Sequence, residues 1–144
     1  MSLIFRAGPL WCALRLDEVV ETMRPLRVRP LAGTPAFVPG ISIMRGVPAP
    51  VVDMATLFAG RPGEVCRFVG VRTERGPVAL ATGAVVGIRH TADDTTSRHD
   101  ALLGGAAGRL VAAVGTLDAE PLLVLRSMRL LPDEVWAAAA AAGS

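Results

Sequence analysis

The sequence predicts an all-β protein built as two similar small β-barrels, with only short helices. Three observations predict it. Pro and Gly punctuate the 144 residues often (11 Pro and 15 Gly), and the runs between them are short and rich in Val, Leu and Ile. Runs of about four to eight apolar residues with turn residues at both ends read as strands. Secondly, the two halves resemble each other. Trp11-Cys12-Ala13-Leu14 leads to Val19-Val20 with the same internal spacing as Pro77-Val78-Ala79-Leu80 leads to Val85-Val86, and Val51 to Phe58 parallels Val124 to Leu131. Each unit reads hairpin, strand, turn, strand, short helix, which indicates a duplication. Thirdly, helical signals are few. Short strands with tight turns favour small barrels, which remove exposed sheet edges.

In chain order, Leu3 to Arg6, the Gly8-Pro9 turn and Leu10 to Leu16 form a hairpin. Asp17 to Thr22 reads equally as a strand or a short turn. Thr34 to Met54 opens with a turn, rises into an apolar strand, reverses at Arg45-Gly46 and returns as a strand to Asp53. Asp53 is placed to cap a short helix over Met54 to Phe58, because its carboxylate can accept from the free amides of a first turn. Arg67 to Thr73, Glu74-Arg75-Gly76 and Pro77 to Ala81 form a second hairpin, and Ala84 to His90 a further strand. Arg89 to Gly108 is the most loop-like part. Arg109 to Gly115 and Pro121 to Leu125 form a third hairpin about Asp118-Ala119-Glu120. Finally, residues 132–142 read as a helix: Pro132 suits a first-turn position, Asp133 and Glu134 favour the positive end of the dipole, and an Ala run follows.

Composition excludes several classes of function. No stretch reaches the roughly 18 uninterrupted apolar residues that span a bilayer, and the N-terminus lacks a signal-peptide pattern. The cytoplasm is the expected compartment, with no membrane insertion. Cys12 and Cys66 are the only cysteines, and read as small buried hydrophobes. The net charge is +2, every cation is an Arg, and the Arg residues are scattered. With aromatics at 4%, there is little for base stacking and no focused basic face, so nucleic acid is not an expected partner. The absence of Lys excludes a Schiff-base amine and a P-loop lysine.

Catalytic patterns are also missing. His90 and His99 stand apart from the cysteines, and no His-x-x-x-His occurs, so no metal site is expected. Ser97, His99 and Asp100 crowd one polar loop, too close together for a triad, and no Gly-x-Ser-x-Gly elbow exists. Gly104 to Gly108 lacks the context of a phosphate loop. Asp118 and Glu120 flank a turn and read as solvated.

The informative segment is Thr34 to Met54. Gly46 supplies a backbone shape that other residues resist. Arg45 is the only charge between Arg29 and Asp53, held at a tight turn between apolar strands. It either pairs with a carboxylate of the fold or faces a partner, and the two are compatible.

Here the chain resembles the CheW-like family of chemosensory adaptors. The family's Pro-Phe-Val, Gly, Leu-Arg-Gly and Val-Pro-Val-Val-Asp-Leu pattern reads as Pro35, Phe37-Val38, Gly40, Met44-Arg45-Gly46 and Pro50-Val51-Val52-Asp53-Met54. The family's Val-x-Glu-Val and Arg-Pro are similar to Val19-Val20-Glu21-Thr22 and Arg24-Pro25. The resemblance implies one CheW-like domain over residues 1–144, made of two SH3-like five-stranded barrels side by side. The first takes residues 16–66; the second takes residues 67–125 with the N-terminal strands. It implies no enzyme activity and no cofactor, but a scaffold that couples a methyl-accepting chemoreceptor tip to a CheA-type histidine kinase. By the same resemblance Arg45, Val19 and Glu21, with Gly46 at the turn, belong to a receptor-facing groove, and barrel edges face the kinase. Departures are Ile43 where Asn is usual, Gly83 where the second half has Asp, and Arg126-Ser127 where a second Asp-Leu stands. They leave open a divergent interaction module serving another output, such as surface motility, or a regulatory domain outside a receptor array.

Overall fold

The alternation of apolar strands and tight turns produces two sheets. The structure, a computed structural model, describes residues 1–90, 105–127, 133 and 135–137. β1 (Ser2–Ala7) and β2 (Leu10–Arg15) form the expected hairpin, and a single 3₁₀ turn over Leu16–Glu18 leads into β3 (Val19–Met23). The ambiguous segment 17–22 is therefore a turn and then a strand. β4 (Arg29–Pro30), β5 (Gly40–Met44) and β6 (Val47–Asp53) follow, then helix α1 (Met54–Ala59). β7 (Arg67–Thr73) and β8 (Gly76–Thr82) form the second hairpin, followed by β9 (Val85–Arg89), helix α2 (Gly105–Leu110), β10 (Val111–Leu117) and β11 (Glu120–Leu125). One sheet runs β10-β11-β2-β1-β9, the other β3-β7-β8-β6-β5-β4.

The internal repeat is visible bond by bond. Arg6 lies opposite Trp11 in the first hairpin as Arg72 lies opposite Pro77 in the second. Val124 of β11 runs parallel beside Ala13, as Val51 of β6 runs beside Ala79. Each hairpin exports its next strand to the other sheet: β3 pairs with β7, and β9 pairs with β1. Both exported strands slip register at the same place. Val19 faces Val71 and Glu21 faces Gly70, while Val85 faces Phe5 and Gly87 faces Ile4, which leaves Val20 and Val86 as the extra residues. Such a bulge re-aims the side chain it carries, and these two valines are 56% and 44% exposed.

Exchange of strands locks the two sheets together, and one core lies between them. Phe5 and Leu14 from one sheet meet Val52, Val69, Val71 and Leu80 from the other, with Met54, Leu57 and Phe58 of α1 packed among them. Burying side chains of this size contributes about 1.5–3 kcal/mol each relative to exposure. The Asp53 carboxylate caps α1 by accepting from the amides of Ala55 (3.1 Å) and Thr56 (3.4 Å). Gly60, left-handed at φ 80°, ends the helix with its amide on the Thr56 carbonyl.

Some expectations need adjusting. Gly105–Leu110 is helical, where the sequence read a loop through Gly108, and the strand over 109–115 accordingly starts at Val111 and runs on to Leu117. Full burial of Leu110 and Val111 holds that turn of helix against the core despite its glycines. β7 and β8 hydrogen-bond into the sheet of β3–β6, so strand pairing divides the chain between Thr82 and Val85 and not after Cys66. That sheet has six strands, the sixth being the two-residue β4. Of the helix expected over 132–142, Asp133 and Val135 to Ala137 are helical, and its other residues lie outside those described.

Candidate functional site

The turn between β5 and β6 places both of its central residues in left-handed backbone, Arg45 at φ 51° and Gly46 at φ 79°. Two positive angles make the hairpin turn whose twist matches its strands. Glycine takes this shape freely, whereas an L-residue such as Arg pays roughly 1–2 kcal/mol for it. The strain fixes where the Arg45 side chain leaves the hairpin. Its Nε donates to the Glu21 carboxylate on β3. That hydrogen bond, then the charge of Glu21, raises the pKa of Arg45 further above its ordinary value. The Arg45 side chain remains 77% exposed and that of Glu21 only 25%, so the remaining guanidinium donors point outward.

Beside this pair lies a groove of about 240 Å³. Val20 and Glu21 form one wall, Met44, Arg45 and Val47 another, and Gly70, Val71, Arg72 and Pro77 the floor and far side. The bulge in β3 turns Val20 into it, and Val47 adds a second apolar side chain, 46% exposed. Gly70 keeps it open, since a Cβ there would stand 3.3 Å from both Met23 Cε and Met44 Sδ.

Of the residues expected from the sequence, Arg45 and Glu21 come together and line the groove. Gly46 stands at the turn tip with no heavy atom near its Cβ position, so its contribution is backbone shape. Val19 packs inward against the core and does not line the groove; its neighbour Val20 does. Simple strand alternation puts Val20 and Glu21 on opposite faces, and only the bulge brings both to one cleft. Arg72 and Pro77, contributed by the other hairpin, carried no sequence signal of their own.

His90 is exposed just after β9, while Ser97, His99, Asp100 and Gly104 lie outside the described residues. Among the described residues no three His, Cys, Asp or Glu side chains gather where a metal ion could be held. Cys12 is buried, which pushes its thiol pKa up and keeps it protonated; Cys66 is half-buried and also free. Glu120 is exposed, as read, and also accepts from Trp11 Nε1 at 3.0 Å and from Arg6 at 3.3 Å, with the Arg6 guanidinium 3.5 Å over the Trp11 ring.

A family model described as CheW-like domain matches residues 2–135. Among solved structures, the scaffolding protein TtCheW from Thermoanaerobacter tengcongensis is similar in fold, with a TM-score of 0.72 over 90% of each chain at 19% identity. None of the curated proteins matches the sequence. Among the described residues no helix is long and apolar enough to cross a membrane.

Proposed function

This chain belongs to the CheW-like domain family, its two sheets being two SH3-like β-subdomains, and from that membership we propose that it is a non-enzymatic scaffold of a chemosensory pathway, coupling a chemoreceptor tip to a CheA-type histidine kinase in the cytoplasm. The observation that carries the reading is the groove at the β3, β5–β6 and β7 corner. Its volume of about 240 Å³ leaves room for an apolar side chain of a helix, and the Arg45–Glu21 pair stands beside that position. Helix-in-groove recognition uses such apolar anchors, and a charge-assisted hydrogen bond to a partner carboxylate fixes their register. The exposed Val86 and Ile88 on β9, a sheet edge, support a separate contact with the kinase. Single contacts of this kind are weak, and an array of repeated receptors and kinases adds avidity.

The test is co-sedimentation of the purified protein with receptor cytoplasmic fragments and a CheA-type kinase from the same organism. Arg45→Ala is expected to keep its fold and to lose receptor binding by about tenfold or more while retaining kinase binding, as removal of a buried anchor costs about 2 kcal/mol. Capture of neither partner by the wild type would refute the adaptor reading. An unfolded Arg45→Ala would make Arg45 structural instead.

A further inference from the structure

A second recess lies on the far edge of the six-stranded sheet and shares no residue with the groove at Arg45. The edge strand β4 has two residues and pairs only with Gly40 and Ile41 of β5. Past Ile41 the outer side of β5 has no strand partner among the described residues. The Ser42 hydroxyl donates to the Arg27 carbonyl at 2.8 Å, holding the preceding segment against β5. Between them is a recess of about 250 Å³ lined by Leu26, Arg27, Arg29, Ile41, Ser42 and Ile43. Ile43, the residue that replaces the family's usual Asn, is 56% exposed there. An uncovered apolar side chain on an unpaired strand edge is a template for strand addition.

Charge decides what covers it. From residue 22 to residue 52 the sequence holds Arg24, Arg27, Arg29 and Arg45 and no Asp or Glu, a formal +4, so the rest of the chain together carries −2. The positive charge of the protein is thus concentrated on β4–β6 and the segment before them. Arg45 is matched by Glu21, whereas Arg24, Arg27 and Arg29 are all exposed and take part in none of the ion pairs of the described residues. β5 and β6 supply no carboxylate before Asp53. We propose that this recess is the docking site for an extended, acidic segment of a partner protein, which adds to the free edge of β5, covers Ile43 with an apolar side chain and places carboxylates on Arg27 and Arg29. Arg forks pair with carboxylates in bidentate fashion, which fixes the register of an added strand.

The probe is a short labelled peptide alternating glutamate and valine, titrated by fluorescence anisotropy against the full chain. The lysine–valine counterpart and a short DNA duplex serve as comparators. The acidic peptide is expected to bind best, to weaken with added salt, and to lose about tenfold or more in affinity to the double variant Arg27→Glu/Arg29→Glu, whose fold is checked by circular dichroism. Ile43→Ser, which keeps both arginines, is expected to weaken binding less. Arg45→Ala is expected to bind the peptide as the wild type does, so loss of the receptor contact and loss of this one are read separately. No binding by the wild type, equal binding of the lysine peptide, tighter binding of DNA, retained affinity in a folded double variant, or an equal loss in Arg45→Ala would each overturn the proposal.

Discussion

The two halves of this molecule share one scaffold and finish the same corner in opposite ways. In the first, the β5–β6 turn, the bulge of β3 and the β7–β8 hairpin enclose an open groove floored by Gly70 and Pro77 and edged by Val47. In the second, the strand registers put Ile4, Trp11 and Glu120 at the equivalent positions. There Ile4 is fully buried, Trp11 packs beside it with Leu122, and Glu120 ties Trp11 to Arg6 across the surface. Even the turns correspond: Asp118 and Ala119 are both left-handed, at φ 50° and 64°, as Arg45 and Gly46 are. The open corner thus arises by leaving side-chain volume out of a position that the duplicate fills.

Truncating the filler of the closed corner has the largest expected effect. Trp11→Ala is expected to destabilise the protein by about 2–3 kcal/mol, at the low end for a large aromatic because Trp11 is only half-buried. Pro77→Ala, at the equivalent place in the open corner, is expected to cost under about 1 kcal/mol. Urea denaturation of both variants measures the pair, and equal losses would show that the corners are packed alike. The converse experiment closes the open corner. Gly70→Val pushes on Met23 and Met44, both flexible, so the cost is expected at about 1–2 kcal/mol. The added methyl groups occupy the groove, and binding of the receptor fragment is expected to fall at least about tenfold, a loss of about 1.4 kcal/mol. A folded Gly70→Val protein that binds as the wild type does would remove the groove from the interface.

Much of this architecture was legible in the sequence, and the reason is local. Turn residues and apolar runs mark hairpins because both signals act within a few residues, and the parallel between residues 11–20 and 77–86 matches the bonded registers. Asp53 was legible as a cap for the same reason. Where the second half carries Arg126-Ser127 instead, Ser127 is not helical as its counterpart Met54 is, and its hydroxyl donates to Glu18. Features made by long-range pairing were not legible. The sheet that β7 and β8 join is decided by β3 and β6, so the divide falls elsewhere than Cys66. The bulge that exchanges Val20 for Val19 in the groove is set by pairing with β7, distant in sequence. The bond from Trp11 to Glu120 needs two strands joined in parallel, which no spacing announces.

A finer test separates strain from recognition at Arg45. Arg45→Gly removes the left-handed penalty of about 1–2 kcal/mol and gives up only an exposed, solvent-screened ion pair, while glycine adds freedom to the unfolded chain. The expected result is a stability equal to the wild type or up to about 1 kcal/mol above it, with receptor binding lost as in Arg45→Ala. A stability loss above about 1 kcal/mol would mean that the Glu21 pair holds the fold and that the two corners are both structural.

The smallest effect belongs to the closed corner and is read by pH. The hydrogen bond from Trp11, and then that from Arg6, hold the pKa of Glu120 below the ordinary glutamate value. A carboxyl depressed in the folded state stabilises the protein above its unfolded pKa, and that contribution is lost as pH falls through the folded value. Between neutral pH and the ordinary glutamate range the corner is therefore expected to stay closed, and to loosen only on the acid side of that range. Trp11 reports the event directly, because its indole N–H is the donor. In a Trp136→Phe background, which leaves Trp11 as the sole tryptophan, its fluorescence is expected to show an acid step that Glu120→Gln abolishes, since an amide accepts the same hydrogen bond at every pH. A step of unchanged midpoint in Glu120→Gln would assign the signal to global acid unfolding, and the corner would then be held by Ile4 and Leu122 alone.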